Sequence, residues 1–272
     1  NDPIGNLNAD WTHQINRNGS IRLAQLAKAA GVKRFLFSSS CIMYGMTEAA
    51  VVTEESPLDP QTDYARSKVD SERAISLLAG DGFSPTFLRN GTVYGLSPRM
   101  RLDTVLNDFV AQAFATGKIV VLSDGKPWRP VIHVEDVARA FTHVLGAPRE
   151  LVHNQAFNNG ADRLNYRIIE LAEIATATVP GATLEVRAES GADQRTYKAD
   201  FGKFARTFPD FTFNRDAKSG AAELYAGYRS VGLTKADCDG NRYVRLRWLN
   251  ALLESGSLDD SLRWARRAVA AS

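Results

Sequence analysis

A chain of 272 residues, 44% apolar and 24% charged, is long enough to bury a substantial core as one large or two modest domains. Its net charge of +2 comes from scattered basic residues with no stripe and no interleaved aromatics, which argues against nucleic-acid binding. No long apolar run or signal-peptide pattern calls for a membrane, and Cys41 and Cys238, far apart and outside any CxxC or metal-ligand spacing, fit free thiols in a reducing cytosol. His13, His133, His143 and His153 show no ligand spacing with carboxylates or thiols, so no metal is expected.

In chain order, residues 8–30 read as a helix with Ile21, Leu23, Leu26, Ala27 and Ala30 turned to a core, ending at Gly31. Residues 35–40 read as a buried strand that ends in three serines. Asp63 or Thr62 can cap the next helix, whose apolar positions are Val69, Ile75, Leu77 and Leu78 and which stops at Gly80 and Gly82. A second strand at 85–89 leads into NGTVYG. A strong helix at 104–117 faces Val105, Phe109, Val110 and Phe114 inward. Then come a strand at 119–122, a turn at SDGKPWRP, a strand at 131–133 and a helix at 134–145. A strand ending at 156–158, a helix at 166–178 and a strand at 183–186 follow, and from Gly220 the chain reads as mostly helical to Ala271. Strands and helices alternate up to about Val186, which favours a parallel sheet covered on both faces.

Within this order Tyr64 and Lys68 stand four apart on one helix face, and no other Tyr has a Lys four residues on. Ser40 lies 24 residues ahead of Tyr64. A lone Tyr-x-x-x-Lys also fits a surface Tyr beside a solvated Lys. Strand, serines, capped helix and strand form a βαβ order that favours chemistry instead. Such groups can move a proton to or from a carbinol while a nicotinamide moves the hydride.

The segments FLFSSSCIMYG, DYARSK, TFLRNGTVYG and RPVIHVEDVARAF, in that order, and the later DQRTYKADFGKFARTFPDF resemble the extended short-chain dehydrogenase/reductase family, nearest its sugar-nucleotide epimerases and dehydratases. The resemblance covers nearly the whole chain. It implies an α/β fold, a Rossmann-like doubly wound parallel sheet lacking its first strands, plus a smaller mixed C-terminal substrate domain. Residues 1–97 with 131–160 would form the partial dinucleotide-binding domain, and 98–130 with 161–272 the NDP-sugar domain. It also implies NAD or NADP as cofactor, a nucleotide-sugar substrate, and a homodimer in which helices 8–30 and 64–78 present Ile15, Ala74 and Leu77. Tyr64 would be the general acid or base, its phenol, ordinarily near 10, pulled down by Lys68 and by oxidised nicotinamide. Lys68 would also bond the nicotinamide ribose. Ser40 would hold the reacting sugar oxygen, with Ser38 and Ser39 satisfying backbone groups or lining the nicotinamide pocket. Asn16 and Asn90 would serve the cofactor side. Thr92 stands where many 4-epimerases have a substrate-binding Asn. Arg129, and less securely Arg195, would pair with the diphosphate; Arg99 and Arg101 can also reach phosphate, and Val120 would edge the nucleobase pocket. His133 and Asp136 would fix a strand-helix turn.

Two departures matter. No G-x-x-G-x-x-G turn is present, and NDPIGNLNADW reads like the segment after the family's fourth strand. On the order of 75 preceding residues, with the pyrophosphate site, are therefore expected to be missing. Residues 1–272 alone are expected to fold poorly and bind no NAD. Cys41 and Ile42 stand where 4,6-dehydratases place an Asp-Glu pair, which argues against that reaction and for an epimerase or 4-ketoreductase acting at C4 of an NDP-hexose. The rival reading is a non-catalytic dinucleotide-binding regulatory module of the same fold.

Overall fold

The structure, a computed structural model, describes residues 2–5, 7–47, 51–187 and 196–265. Its centre is a parallel sheet of three strands, β1 (Arg34–Ser40), β3 (Ser84–Asn90) and β7 (Gln155–Asn159), in the order β1-β3-β7. The remaining strands are β2 (Val51–Val52), β4 (Thr92–Tyr94), β5 (Lys118–Val121), β6 (Trp128–His133), β8 (Asn165–Arg167), β9 (Thr183–Val186) and β10 (Lys198–Ala199). They pair as β2 with β10, β5 with β9, and β4-β6-β8; only β6 and β8 run antiparallel.

The two faces of the central sheet follow from period-2 alternation. Phe37 and Phe87, paired in register, turn to the helices Gly19–Ala29 and Asp63–Ser76 and pack with Ala24, Ile75 and Phe83. Leu36, Leu88 and Phe157 turn the other way, to the helix Val134–Gly146 and to Phe204, Phe208 and Phe213. β3 is buried along its whole length, as a central strand should be. A separate core joins the helices Val105–Thr116, Ile168–Thr178 and Ala217–Val231 around Leu106, Val110, Leu171 and Leu224.

The helix Asp63–Ser76 starts where Thr62 accepts a hydrogen bond from the Ala65 N–H at 3.2 Å, and Thr62 donates to Asp2 at 2.6 Å. Its buried face is built from Ala65, Ser67, Val69, Ser71, Glu72 and Ile75. The small residues let the preceding helical run approach closely, and Ser71 Oγ reaches the Asn16 carbonyl at 3.3 Å. That run is interrupted by a π-helical segment, His13–Asn18, which a plain 3.6-residue reading did not anticipate.

Several expectations need correction. In the 8–30 run Thr12 and Ala24 are buried and Ala27 packs against the sheet core as expected, but Leu23 and Leu26 are 61% and 56% exposed and Ala30 is exposed. Leu77 is 86% exposed because the Asp63 helix ends at Ser76, one residue before it. β1 is only partly buried, being at the edge of its sheet among the described residues. β6 begins at Trp128 within the expected turn, since Trp128, Arg129 and Pro130 pair with β8, and for the same reason the next helix begins at Ile168. Leu122 lies outside β5 and is exposed. After Gly220 the helices are broken, with Lys235–Asp239 and Arg245–Glu254 followed by turns; residues beyond 265 lie outside the described residues.

Between sheet and Tyr64 helix lies a buried ion pair. Arg89 Nη2 on β3 meets Glu72 Oε2 at 2.8 Å, and both side chains are over nine-tenths buried. Arg89 also donates to the Tyr44 hydroxyl and the Glu54 carbonyl, each at 3.1 Å. Removing one partner strands the other charge, so Arg89→Met is expected to cost about 3–5 kcal/mol, and Arg89→Met with Glu72→Met together clearly less. Urea denaturation of both variants checks this; a single-variant loss below about 1 kcal/mol would refute it.

Candidate functional site

Register brings Ser40, Asn90 and Asn159 side by side at the carboxyl ends of the three parallel strands. Asn159 Nδ2 donates to Asn90 Oδ1 at 2.7 Å; Asn90 Nδ2 donates to Ser38 Oγ at 3.1 Å and to the Ser39 carbonyl at 3.3 Å. A chain of amides therefore ties the serine end of β1 to its neighbours. Ser39 is buried and donates to Met43 Sδ, whereas Ser38 is exposed. Ser40 caps the turn Cys41–Tyr44 by accepting the Ile42 N–H at 3.3 Å. Gly45 ends that turn at φ +64, where a Cβ would overlap the Asp59 carbonyl.

The helix then brings Tyr64 against this rim, with the Ser40 hydroxyl near enough to act on the phenol. Burial pushes the Tyr64 phenol up from its ordinary value; the Arg101 guanidinium opposes that rise, Asp2 adds to it, and the Ser40 hydroxyl lowers it. Lys68 Nζ donates to the Ser38 carbonyl at 2.8 Å and lies 4.7 Å from the centre of the Phe37 ring and 5.7 Å from that of Tyr64. Burial lowers its pKa to about 8, with Glu72 one turn on opposing. This differs from the expected electrostatics. The cation acting on Tyr64 is Arg101, because the Lys68 ammonium is directed at the Ser38 carbonyl and the Phe37 ring.

The other candidates are more spread out. Asn16 lies in the π-helical segment, half-buried, and lines a small cleft with Gly5, Arg99 and Arg245. Thr92 is half-buried on β4. Val120 is half-buried on β5, its N–H bonded to Gln112 Oε1 at 3.2 Å. Arg129 sits on β6 and donates to the Trp128 carbonyl at 2.9 Å. Arg99 is exposed on the loop after β4. Arg195 lies outside the described residues. Cys41 is fully buried, its thiol reaches the Arg89 carbonyl at 3.1 Å, and burial pushes its pKa far up, so it is neither acid nor nucleophile here.

Three features escaped sequence reasoning. Asn159 completes the amide chain, and its place at a strand end was the available signal. Glu72 stands four residues after Lys68, a helical spacing that could have been read. Arg245 and Trp248, at the start of the last described helix, carry no local signal that they come to the Asn16 side. Among the described residues no group of three His, Cys, Asp or Glu is placed to hold a metal, and no helix is long and apolar enough to cross a membrane.

Residues 5–160 match the profile of the NAD dependent epimerase/dehydratase family. A UDP-glucose 4-epimerase of Bacillus subtilis is 29% identical over 58% of this chain and 51% of its own. A dTDP-glucose 4,6-dehydratase of an Actinoplanes strain is 27% identical over 79% of this chain and 66% of its own. The chain thus spans about half to two thirds of the length of these curated relatives. Among solved structures, a dTDP-glucose 4,6-dehydratase from Streptomyces venezuelae with NAD bound superposes with a TM-score of 0.74 at 24% identity, over 86% of this chain and 72% of that one.

The low Lys68 pKa has a signed consequence. Its folded value lies below its unfolded one, near 10.4, so between pH 8 and about 10.4 the unfolded chain holds the extra proton and this group makes stability rise with pH. NMR of the reductively methylated protein should show one lysine signal titrating near pH 8 and absent from Lys68→Arg; a normal midpoint for that signal would refute the assignment.

Proposed function

The chain belongs to the NAD dependent epimerase/dehydratase family, and from this we propose that it carries the proton-transfer centre of an enzyme that epimerises or reduces a nucleotide sugar at C4. The observation that carries this reading is Tyr64 beside Ser40, near enough for Ser40 to lower the phenol's pKa, with Lys68 on the same helix, at the carboxyl ends of parallel strands where such folds bind ligands. Tyr64 would take the proton of the C4 hydroxyl on oxidation and return it on reduction, and Ser40 would hold the same oxygen. The comparable similarity to an epimerase and to a dehydratase leaves the choice to side chains. Cys41 and Ile42 offer no carboxylate to work at C5 and C6, which supports chemistry confined to C4.

NAD or NADP, when bound, would accept and return the hydride at its nicotinamide. Lys68 has three donors and one hydrogen bond among the described residues, so it keeps donors for the ribose. Ser38, Asn90 and Asn16 would complete that end of the cofactor site, and the sequence contains no glycine-rich turn for the pyrophosphate. Arg129 would pair with the diphosphate of the sugar nucleotide, Thr92 would contact the substrate and Val120 would edge the base pocket. Residues 98–130 and 161–272 would form the substrate side, facing a dinucleotide side of 1–97 and 131–160.

Tyr64→Phe removes the proton and little volume. It is expected to lower kcat by two to four orders of magnitude with KM within a few-fold, measured on the full-length protein with NDP-hexoses and nicotinamide cofactor. An epimerase should turn over with no net loss of cofactor, and a 4-ketoreductase should consume NADPH one for one with a 4-keto sugar. Full activity of the Phe variant, or no binding of any nucleotide sugar, would overturn the reading.

A homodimer is also proposed. Ile15, Leu23, Leu26 and Leu77 leave an exposed apolar face on the two helical runs flanking the site, a surface a second copy would cover isologously. Light scattering at micromolar concentration should give twice the chain mass; a monomer would remove this part.

A further inference from the structure

Three arginines gather on the Tyr64 side around a single paired acid, Asp103. Arg99 and Arg101 lie on the loop after β4, and Arg245 opens the helix Arg245–Glu254. Loop and helix are joined where the Leu102 N–H bonds the Tyr243 carbonyl at 3.2 Å. Asn107 pins the loop, accepting the Gly95 N–H at 3.0 Å and donating to the Arg101 carbonyl at 2.9 Å. Arg101 pairs with Asp103 at 2.9 Å. Arg99 has no carboxylate partner among the described residues, and Arg245 Nε is buried with no hydrogen-bond partner among them. Burial, then Arg99 and Arg101, all push the Arg245 pKa down, with Asp103 alone opposing. The helix that Arg245 opens has no side-chain cap, so its first N–H groups add to the positive field.

Arg99, Arg245 and Trp248 line two adjoining clefts, of about 620 and 250 Å³. The smaller one is also lined by Gly5, whose backbone lies so near the helix that a Cβ would stand 2.8 Å from Tyr64 Cβ. Arg129, on β6, lines neither cleft. The basic cluster therefore lies beside the start of the Tyr64 helix, with Arg101 near enough to act on the phenol, and is separate from the arginine proposed for the diphosphate. Gathering three guanidiniums around one carboxylate is unfavourable, and an anionic ligand relieves it through charge-assisted, bidentate bonds. Asp2 also acts on Tyr64, and Thr62 already donates to it.

We propose that Arg99 and Arg245 form a carboxylate-recognising subsite, and that the sugar carried to Tyr64 is a hexuronic acid rather than a neutral hexose. This deepens the nucleotide-sugar reading and rests on it. The test is calorimetric titration of the full chain with UDP, UDP-glucose and UDP-glucuronate, for the wild type and for Arg99→Gln with Arg245→Gln. The wild type is expected to bind UDP-glucuronate at least tenfold more tightly than UDP-glucose. The double variant is expected to lose that preference while keeping its affinity for UDP, which also reports that it is folded. Equal wild-type affinity for the two sugars would overturn this inference and leave the nucleotide-sugar reading standing. A matching loss of UDP affinity in the double variant, with its thermal unfolding unchanged, would assign the arginines to the diphosphate and overturn it as well. Failure of all three ligands to bind would overturn both readings.

Discussion

The geometry of the site depends on the Arg89–Glu72 pair. A helix lying on a sheet can roll about its axis at little cost if only apolar side chains touch, because dispersion contacts have no direction. A guanidinium gripping a carboxylate at 2.8 Å, with Tyr44 and the Glu54 carbonyl on its other nitrogen, does have direction. Glu72 is one turn beyond Lys68 and two beyond Tyr64 on the same helix. Fixing Glu72 to β3 therefore fixes the rotation that aims the phenol at Ser40 and the ammonium at the Ser38 carbonyl. The same network takes in Asn158, which donates its N–H to Glu54 at 2.7 Å and accepts from Tyr44 at 2.6 Å, so β7 is bound into it too.

Electrostatics at Tyr64 are shared among elements far apart in sequence. Burial makes the phenol harder to ionise, and what opposes burial is Arg101 from the loop after β4 and the hydroxyl at the end of β1. Lys68, with its pKa brought to about 8 by burial, is poised to titrate not far above neutral pH. Its charge can then answer to whatever approaches the Ser38 rim.

Order along the chain made the centre of the fold legible. The period-2 runs around Phe37 and Phe87, the Thr62 cap and the Tyr64–Lys68 spacing are local signals, and local signals survive in a sequence. The proximity of Ser40 to Tyr64 was readable because a βαβ unit returns the helix over the strand ends. Where the reading departed from the structure, the cause was non-local. Leu23, Leu26 and Leu77 carry a helical apolar period that says nothing about what covers it. Trp128 is strand only because β8 comes beside it, and Arg245 reaches the Asn16 cleft from more than 200 residues away. The π-helical break at His13–Asn18 has no composition of its own, and its Asn16 carbonyl takes a hydrogen bond from Ser71 on the neighbouring helix.

The hydroxyl of Ser40 stands at the end of a strand paired on one side only among the described residues. β3 is buried throughout and paired on both sides, whereas β1 has one paired edge among the described residues and exposes Ser38. An edge strand frays from its tip, which in β1 is the serine end. The amide chain from Asn159 through Asn90 to Ser38 and the Ser39 carbonyl compensates, because it continues the ladder with side chains at the point where backbone pairing ends. Asn is suited to this: its amide offers donor and acceptor at once, so one residue can receive from β7 and give to β1. A shorter or singly functional side chain at position 90 would break the relay even if the backbone register held. The placement of Ser40 opposite Tyr64 is thus set from two directions, by the ion pair under the helix and by the amides across the strand tips.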